Sequence, residues 1–174
     1  MTVGFVLSQV LGLVALVLVG ISYFKQKKHE FLIFQTIANI FYAFAFLAQS
    51  VYMGCVLAFI AIFRAFIFYL YEKHEKTIPL LLAILFVVLY FVLGIVLFEA
   101  WYDFMPPLCY ILCTIAFYIK NIKVTRYVML FPNVCMGLYN VFVATYASAL
   151  LDFVEMVAIT CAIIKYKNGH TGIM

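Results

Sequence analysis

The chain has 174 residues, of which 69% are apolar and only 10% charged, and its mean hydropathy is +1.19; a soluble domain is roughly half apolar and about a quarter charged. No water-soluble fold hides that much apolar surface, whereas a bilayer does so if each segment satisfies its own backbone N–H and C=O groups, which restricts spanning structures to helices and closed barrels. Barrels need short stretches of alternating polarity, so the long unbroken apolar runs here select helices, and the net charge of +4 reports membrane topology rather than a nucleic-acid surface.

In chain order, the first apolar run covers 3–24. It lacks a basic leader and a small-residue cleavage signal, so it is read as a span and not as a signal peptide. Further spans are expected over 31–48, 51–71, 78–98, 104–119, 127–144 and 147–165. Pro106 and Pro107 fall near the start of the fifth, where proline is tolerated only in the first turn. That span is expected to be short or tilted.

The basic residues orient these segments. Lys25, Lys27 and Lys28 follow span 1, Lys73 and Lys76 span 3, Lys120, Lys123 and Arg126 span 5, and Lys165 and Lys167 span 7. The opposite side carries the turns near Gln49 and Ala147 and the loop from Glu99 to Asp103, with no Lys or Arg. By the positive-inside rule the N-terminus is outside and the C-terminus cytoplasmic, in a multi-pass protein of the cell membrane. Trp101, Tyr102, Tyr69, Tyr71, Tyr118, Tyr127 and Tyr166 sit where interfacial anchors are expected.

Spans 1–3 and 5–7 share one layout, separated by span 4. The expected architecture is all-α and integral to the membrane. Seven helices are arranged three plus one plus three: a first repeat over 1–76, a linker helix within 77–102 and a second repeat over 103–174. An odd number of crossings between the repeats makes them parallel. A shift of 97 residues superposes Phe34 on Phe131, Tyr42 on Tyr139, Ala61 on Ala158, Ile62 on Ile159, Ala65 on Ala162, Ile67 on Ile164 and Tyr69 on Tyr166.

Charges within hydrocarbon are costly and mark candidate sites. Glu155 lies near the middle of span 7, with Asp152 one turn away on the same face. Arg64 lies about two turns inside span 3; it is expected either to face Glu155 across the repeat axis or to snorkel to the headgroups. Gln35 and Asn39 in span 2, and Asn133 and Asn140 in span 6, form two same-face amide pairs. Amides at this depth serve either a polar cavity or interhelical hydrogen bonding. Pro132 is a candidate hinge. The cysteines 55, 109, 113, 135 and 161 follow no zinc or disulfide pattern, and His29, His74 and His170 are scattered over loops and tail. No metal, cofactor or enzyme motif is expected.

The plan of two parallel three-helix bundles resembles that of the SWEET, PQ-loop and PnuC group of small transporters, whose members bury a solute site between the bundles. At the level of sequence, Leu7-Ser8-Gln9-Val10-Leu11-Gly12, the basic loop after span 1 and Ala61-Ile62-Phe63-Arg64 resemble the YgjV-type bacterial inner-membrane protein family. Span 1 has no hinge proline, no Pro-Gln pair occurs, and spans 2 and 6 have no tryptophan, which departs from the sugar-transporting members. The expected function is a small-solute transporter or facilitator whose site draws on Glu155, Asp152, Arg64, Gln35, Asn39, Asn133 and Asn140. The alternative is a structural or assembly protein in which the same polar residues hold helices together. The bilayer is the expected partner, nucleic acid is not, and monomer and dimer both fit.

Overall fold

The computed structural model describes residues 3–142 and 146–168, and in Val3, Tyr146, Ala147, Ser148, Lys167 and Asn168 the backbone only. The expected end of span 6 at 143–144, the side chains of Ala147 and Lys167, and His170 lie outside what is described. Among the described residues the structure is all helix and turn: α1 (Val3–Tyr23), α2 (Lys28–Ala48), α3 (Tyr52–Lys73), α4 (Leu80–Val96), a 3-10 turn (Trp101–Phe104), α5 (Met105–Tyr118), α6 (Ile122–Phe142) and α7 (Tyr146–Asn168).

Among the described residues α1, α2 and α3 are each long and apolar enough to cross a membrane, and α4 is a shorter apolar helix. Two helix ends close without glycine. Ser50 and Glu75 take positive φ values of 59° and 56°, and Val51 N–H and Lys76 N–H reach back to Phe46 O and Tyr71 O. These left-handed residues close the α2–α3 turn and the end of α3 by satisfying carbonyls the helix leaves open. Pro106 and Pro107 occupy the first turn of α5, where a missing N–H costs nothing. At 14 residues α5 is about 21 Å long, and the 3-10 turn ahead of it carries the chain onward.

Packing is sequential and then crossed. Helix α2 lies against α1 and α3, α6 lies against α5 and α7, and the two sets meet where α1 touches α7 and α3 touches α5. Helix α4 packs chiefly on α5. Its inner stripe of Ala83, Phe86, Tyr90 and Gly94 is buried, while Leu81, Leu85, Phe91, Ile95 and Val96 face outward, 55–77% exposed. That is the distribution of a helix covered by protein on one side and lipid on the other, with small residues where backbones approach.

Gly94 fixes this contact. A Cβ there would lie 2.7 Å from Pro107 Cγ and 2.8 Å from Pro107 Cβ, and the pyrrolidine ring cannot rotate away. Gly94→Val is expected to lower stability by about 1–3 kcal/mol through overpacking, read as a fall in Tm of the protein in detergent. An unchanged Tm would show that α4 is free to shift.

Arg64 corrects both sequence expectations. It neither pairs with Glu155 nor snorkels: it is 1% exposed, and its Nη1 donates to Tyr110 O at 2.7 Å and Thr114 Oγ1 at 2.8 Å on α5. The guanidinium lies over Phe117 at 4.8 Å and Tyr90 at 5.4 Å, and Tyr90 stacks on Tyr110 at 5.2 Å. An aromatic box and two oxygens replace the carboxylate, because a guanidinium is planar, weakly hydrated and suited to stacking. Arg64 thus ties α3, α4 and α5 together.

Candidate functional site

A cavity of about 130 Å³ lies between α1 and α2 on one side and α5, α6 and α7 on the other. Ser8, Gln9, Gly12 and Tyr23 of α1 line it, as do Gln35, Asn39, Tyr42 and Phe46 of α2 and Gln49 beyond its end. The facing wall is Cys109, Tyr110 and Cys113 of α5, Asn133, Met136 and Asn140 of α6, and Asp152 and Glu155 of α7. The lining thus runs from the turn that joins α2 to α3 down to Tyr23, one residue before the Lys-rich loop. Gln9, Asn39, Tyr42, Gln49 and Asp152 are half-buried, whereas Glu155, Gln35, Asn133 and Asn140 are buried.

Six of the seven candidate polar residues therefore converge on one cavity, and Arg64 stands apart from it. The period of a helix explains the convergence: Gln35, Asn39, Tyr42, Phe46 and Gln49 recur at three and four residues, which is one face of α2. Asp152 and Glu155 do the same on α7, as Met129, Asn133, Met136 and Asn140 do on α6.

Several bonds tie the polar groups together. Tyr42 Oη donates to Glu155 Oε1 at 2.6 Å, which joins α2 to α7 across the cavity. Asn140 Nδ2 donates to Asp152 Oδ2 at 2.6 Å, Gln35 Nε2 to Ser22 Oγ at 3.0 Å, Gln49 Nε2 to Ser8 Oγ at 2.7 Å and Asn39 Nδ2 to Gln35 O at 2.8 Å. Tyr23 Oη and Asn133 Nδ2 are buried in the lining, within reach of each other and of Glu155, and neither makes a hydrogen bond of good geometry. Helix α6 runs unbroken through Pro132, whose carbonyl accepts the Cys109 thiol at 3.1 Å. The ion pairs found among the described residues are Lys25–Glu30 and Lys28–Glu72. Neither carboxylate of the cavity has a basic partner there.

The Lys-rich end closes by an exchange of cations between the two helix sets. Lys28, at the start of α2, is buried; it reaches Ile119 O beyond the end of α5 and pairs with Glu72 at 3.1 Å. Arg126, near the start of α6, donates to Tyr23 O at 2.9 Å and Lys25 O at 2.5 Å, at the end of α1. Each cation meets the open carbonyls and negative dipole end of a helix from the other set, a placement that is favourable on both counts. Tyr166 of α7 donates to Phe24 O at 2.6 Å, beneath the Arg126 guanidinium 4.5 Å from its ring.

Sequence reasoning missed Tyr42, Tyr23, Lys28 and Arg126 as site residues. The signal for Tyr42 was present, since it falls three residues after Asn39 on the amide face. Lys28 and Arg126 carried none that separates them from Lys27 or Lys123, because the carbonyls they meet are about 90 to 100 residues away in sequence and Glu72, the acid on Lys28, lies on another helix.

Residues 6–169 match the model of a family described as a bacterial inner membrane protein, Imp-YgjV. The chain belongs to the Imp-YgjV family. This agrees with its apolar helices and places it among inner membrane proteins, under a description that names a location and no activity. No curated protein and no solved structure matches the chain.

Proposed function

We propose that this Imp-YgjV protein is a transporter or facilitator of a small polar solute, working by rocking of two parallel three-helix units about a central site. The observation that carries the reading is the polar cavity between the two helix sets, lined from Ser8 and Gln49 down to Tyr23. Units 1–76 and 103–174, with a linker helix in 77–102, fit the packing of α1–α3, of α5–α7, and of α4 against α5. The reciprocal pair of latches, Lys28 on the end of α5 and Arg126 on the end of α1, fits two units related by a pseudo-two-fold axis. Seven crossings with the basic end in the cytoplasm follow from the positive-inside rule, so the cavity faces outward and the latches form an inner closure. This plan is similar to that of the SWEET, PQ-loop and PnuC group, while the absent Pro-Gln pair argues against sugars. No motif calls for an enzyme.

The structural or assembly reading draws support from the Gln35–Ser22 and Asn140–Asp152 bonds, which tie neighbouring helices. It leaves two acids, Glu155 and Asp152, lining a cavity with no basic partner among the described residues. Proteoliposomes loaded with sugars, nucleosides, vitamins, amino acids and amines test the choice. Faster loss of one class than from protein-free liposomes is expected; equal leakage of every class would overturn transport.

The closure makes its own prediction. Lys28→Met removes the ion pair with Glu72 and the bond to Ile119 O, so Ser22→Cys, fully buried in the native protein, is expected to become modifiable from the cytoplasmic side. Modification rates equal to those in the Lys28 background would show that Lys28 does not hold the end shut.

A further inference from the structure

We propose that the cavity takes a small protonated amine, with Glu155 and Asp152 as its counter-ions and Tyr23 Oη and Asn133 Nδ2 as partners for a neutral polar group on the same molecule. The inference deepens the transport reading and rests on it. A carboxylate removed from water needs a cation or several donors. Glu155 is 6% exposed; the Tyr42 phenol donates to it and the Asn133 amide lies beside it, and neither is a cation. Asp152 receives one amide N–H, and among the described residues no Lys or Arg lines the cavity. An ammonium ion supplies both the missing charge and three N–H donors.

Two neutral groups of the lining, beside Glu155, add to this. Tyr23 Oη is fully buried and Asn133 Nδ2 belongs to a side chain 7% exposed; both line the cavity within reach of each other, and neither makes a hydrogen bond of good geometry. Buried polar groups in this state are few in a folded protein, and these two are placed to meet a polar group that enters the cavity. They suit a hydroxyl or carbonyl. A carboxylate on the ligand would find no cation, which disfavours zwitterionic amino acids and anions.

Size and lining narrow the class. A cavity of about 130 Å³ compares with the ~150 Å³ that takes benzene, so the enclosed part of the ligand has about six heavy atoms. Tyr23, Tyr42, Phe46 and Tyr110 offer ring faces to an organic cation. A metal ion is served less well: among the described residues no group of three His, Cys, Asp or Glu side chains is placed to hold one.

The test is the Tm of the purified full chain in detergent with ethanolamine, n-butylamine, choline, ethylene glycol, glycine and sodium chloride, each in excess. Ethanolamine is expected to raise Tm by about 5 °C when it saturates the folded state. Butylamine should give a smaller rise, choline, without N–H donors, less still, and glycol, glycine and salt none. Glu155→Gln should abolish the amine shift without lowering the Tm of the ligand-free protein; Asp152→Asn should reduce the shift, and Tyr23→Phe should remove the advantage of ethanolamine over butylamine. A shift by glycol or glycine with none by amines would overturn the amine and leave transport standing. A shift that survives in Glu155→Gln would place the amine elsewhere and overturn the site. No shift by any probe would overturn the amine proposal, while the leakage assay judges transport separately.

Discussion

Replacing Glu155 with glutamine is expected to cut solute exchange in proteoliposomes by about 100-fold while the Tm in detergent stays level or rises. The reason lies in what the substitution keeps. Glutamine has the same shape, and its carbonyl still accepts the Tyr42 hydroxyl that now reaches Glu155 Oε1 at 2.6 Å. What disappears is an ionisable carboxyl that faces no basic residue among those described, so the folded protein gives up no ion pair. A bound solute loses charge-assisted bonding of about 3 kcal/mol, which is the hundredfold. If Glu155 only held α2 to α7, exchange would persist. Glu155→Ala is less informative, because it also strands the Tyr42 hydroxyl in the lining.

The second large effect concerns stability at Arg64. Arg64→Lys is expected to destabilise the protein by about 2–4 kcal/mol, whereas Arg64→Met is expected to fold nearly as well as the native chain. Lysine keeps the charge but loses the Nη1 that bonds both Tyr110 O and Thr114 Oγ1 and the plane that stacks beside Phe117 and Tyr90. Its ammonium is more strongly hydrated and dearer to bury. Methionine fills similar volume without charge, and replacing a buried ion with an apolar side chain is often neutral or stabilising. Neither partner is stranded, since Thr114 Oγ1 already donates to Tyr110 O at 2.7 Å. Thermal melts of the three proteins check this; equal melting of the Lys and Arg forms would mean that charge alone matters at this position. A Met form that folds but transports nothing would move Arg64 from the scaffold to the mechanism.

The helices were legible in the sequence because apolar run length fixes them: the ends of α1 to α5 and α7 fall within three residues of the expected spans, α6 starts five residues early at Ile122, and Pro106 and Pro107 mark the start of a short α5. Face periodicity also brought out the cavity, since Gln35, Asn39, Asn133, Asn140, Asp152 and Glu155 each share a helix face with another candidate. Partners across helices were not legible. Arg64 was expected to meet a carboxylate or the headgroups, and it meets aromatic rings and a backbone carbonyl, which leave no charge pattern to read. Lys28 and Arg126 read as topology signals, yet each caps a distant helix end, an arrangement that depends on how the two helix sets dock. Tyr42 sat on the amide face but looked like one aromatic among many in a chain with 13 tyrosines and 19 phenylalanines.

Chemical access to Asn39 separates a solute site from a packed helix contact. Asn39 is half-buried on the cavity wall, and its amide leans on its own helix at Gln35 O, so cysteine is a mild substitution there. With Asn39→Cys in intact cells, a membrane-impermeant methanethiosulfonate added outside should modify the thiol above the background of the native cysteines. Ile37→Cys on the exposed apolar face of α2 should stay unmodified. Modification of the Asn39→Cys protein alone is the result expected of a water-filled, outward-facing solute site. If neither position reacts, the polar residues are packed helix contacts and the transport account fails.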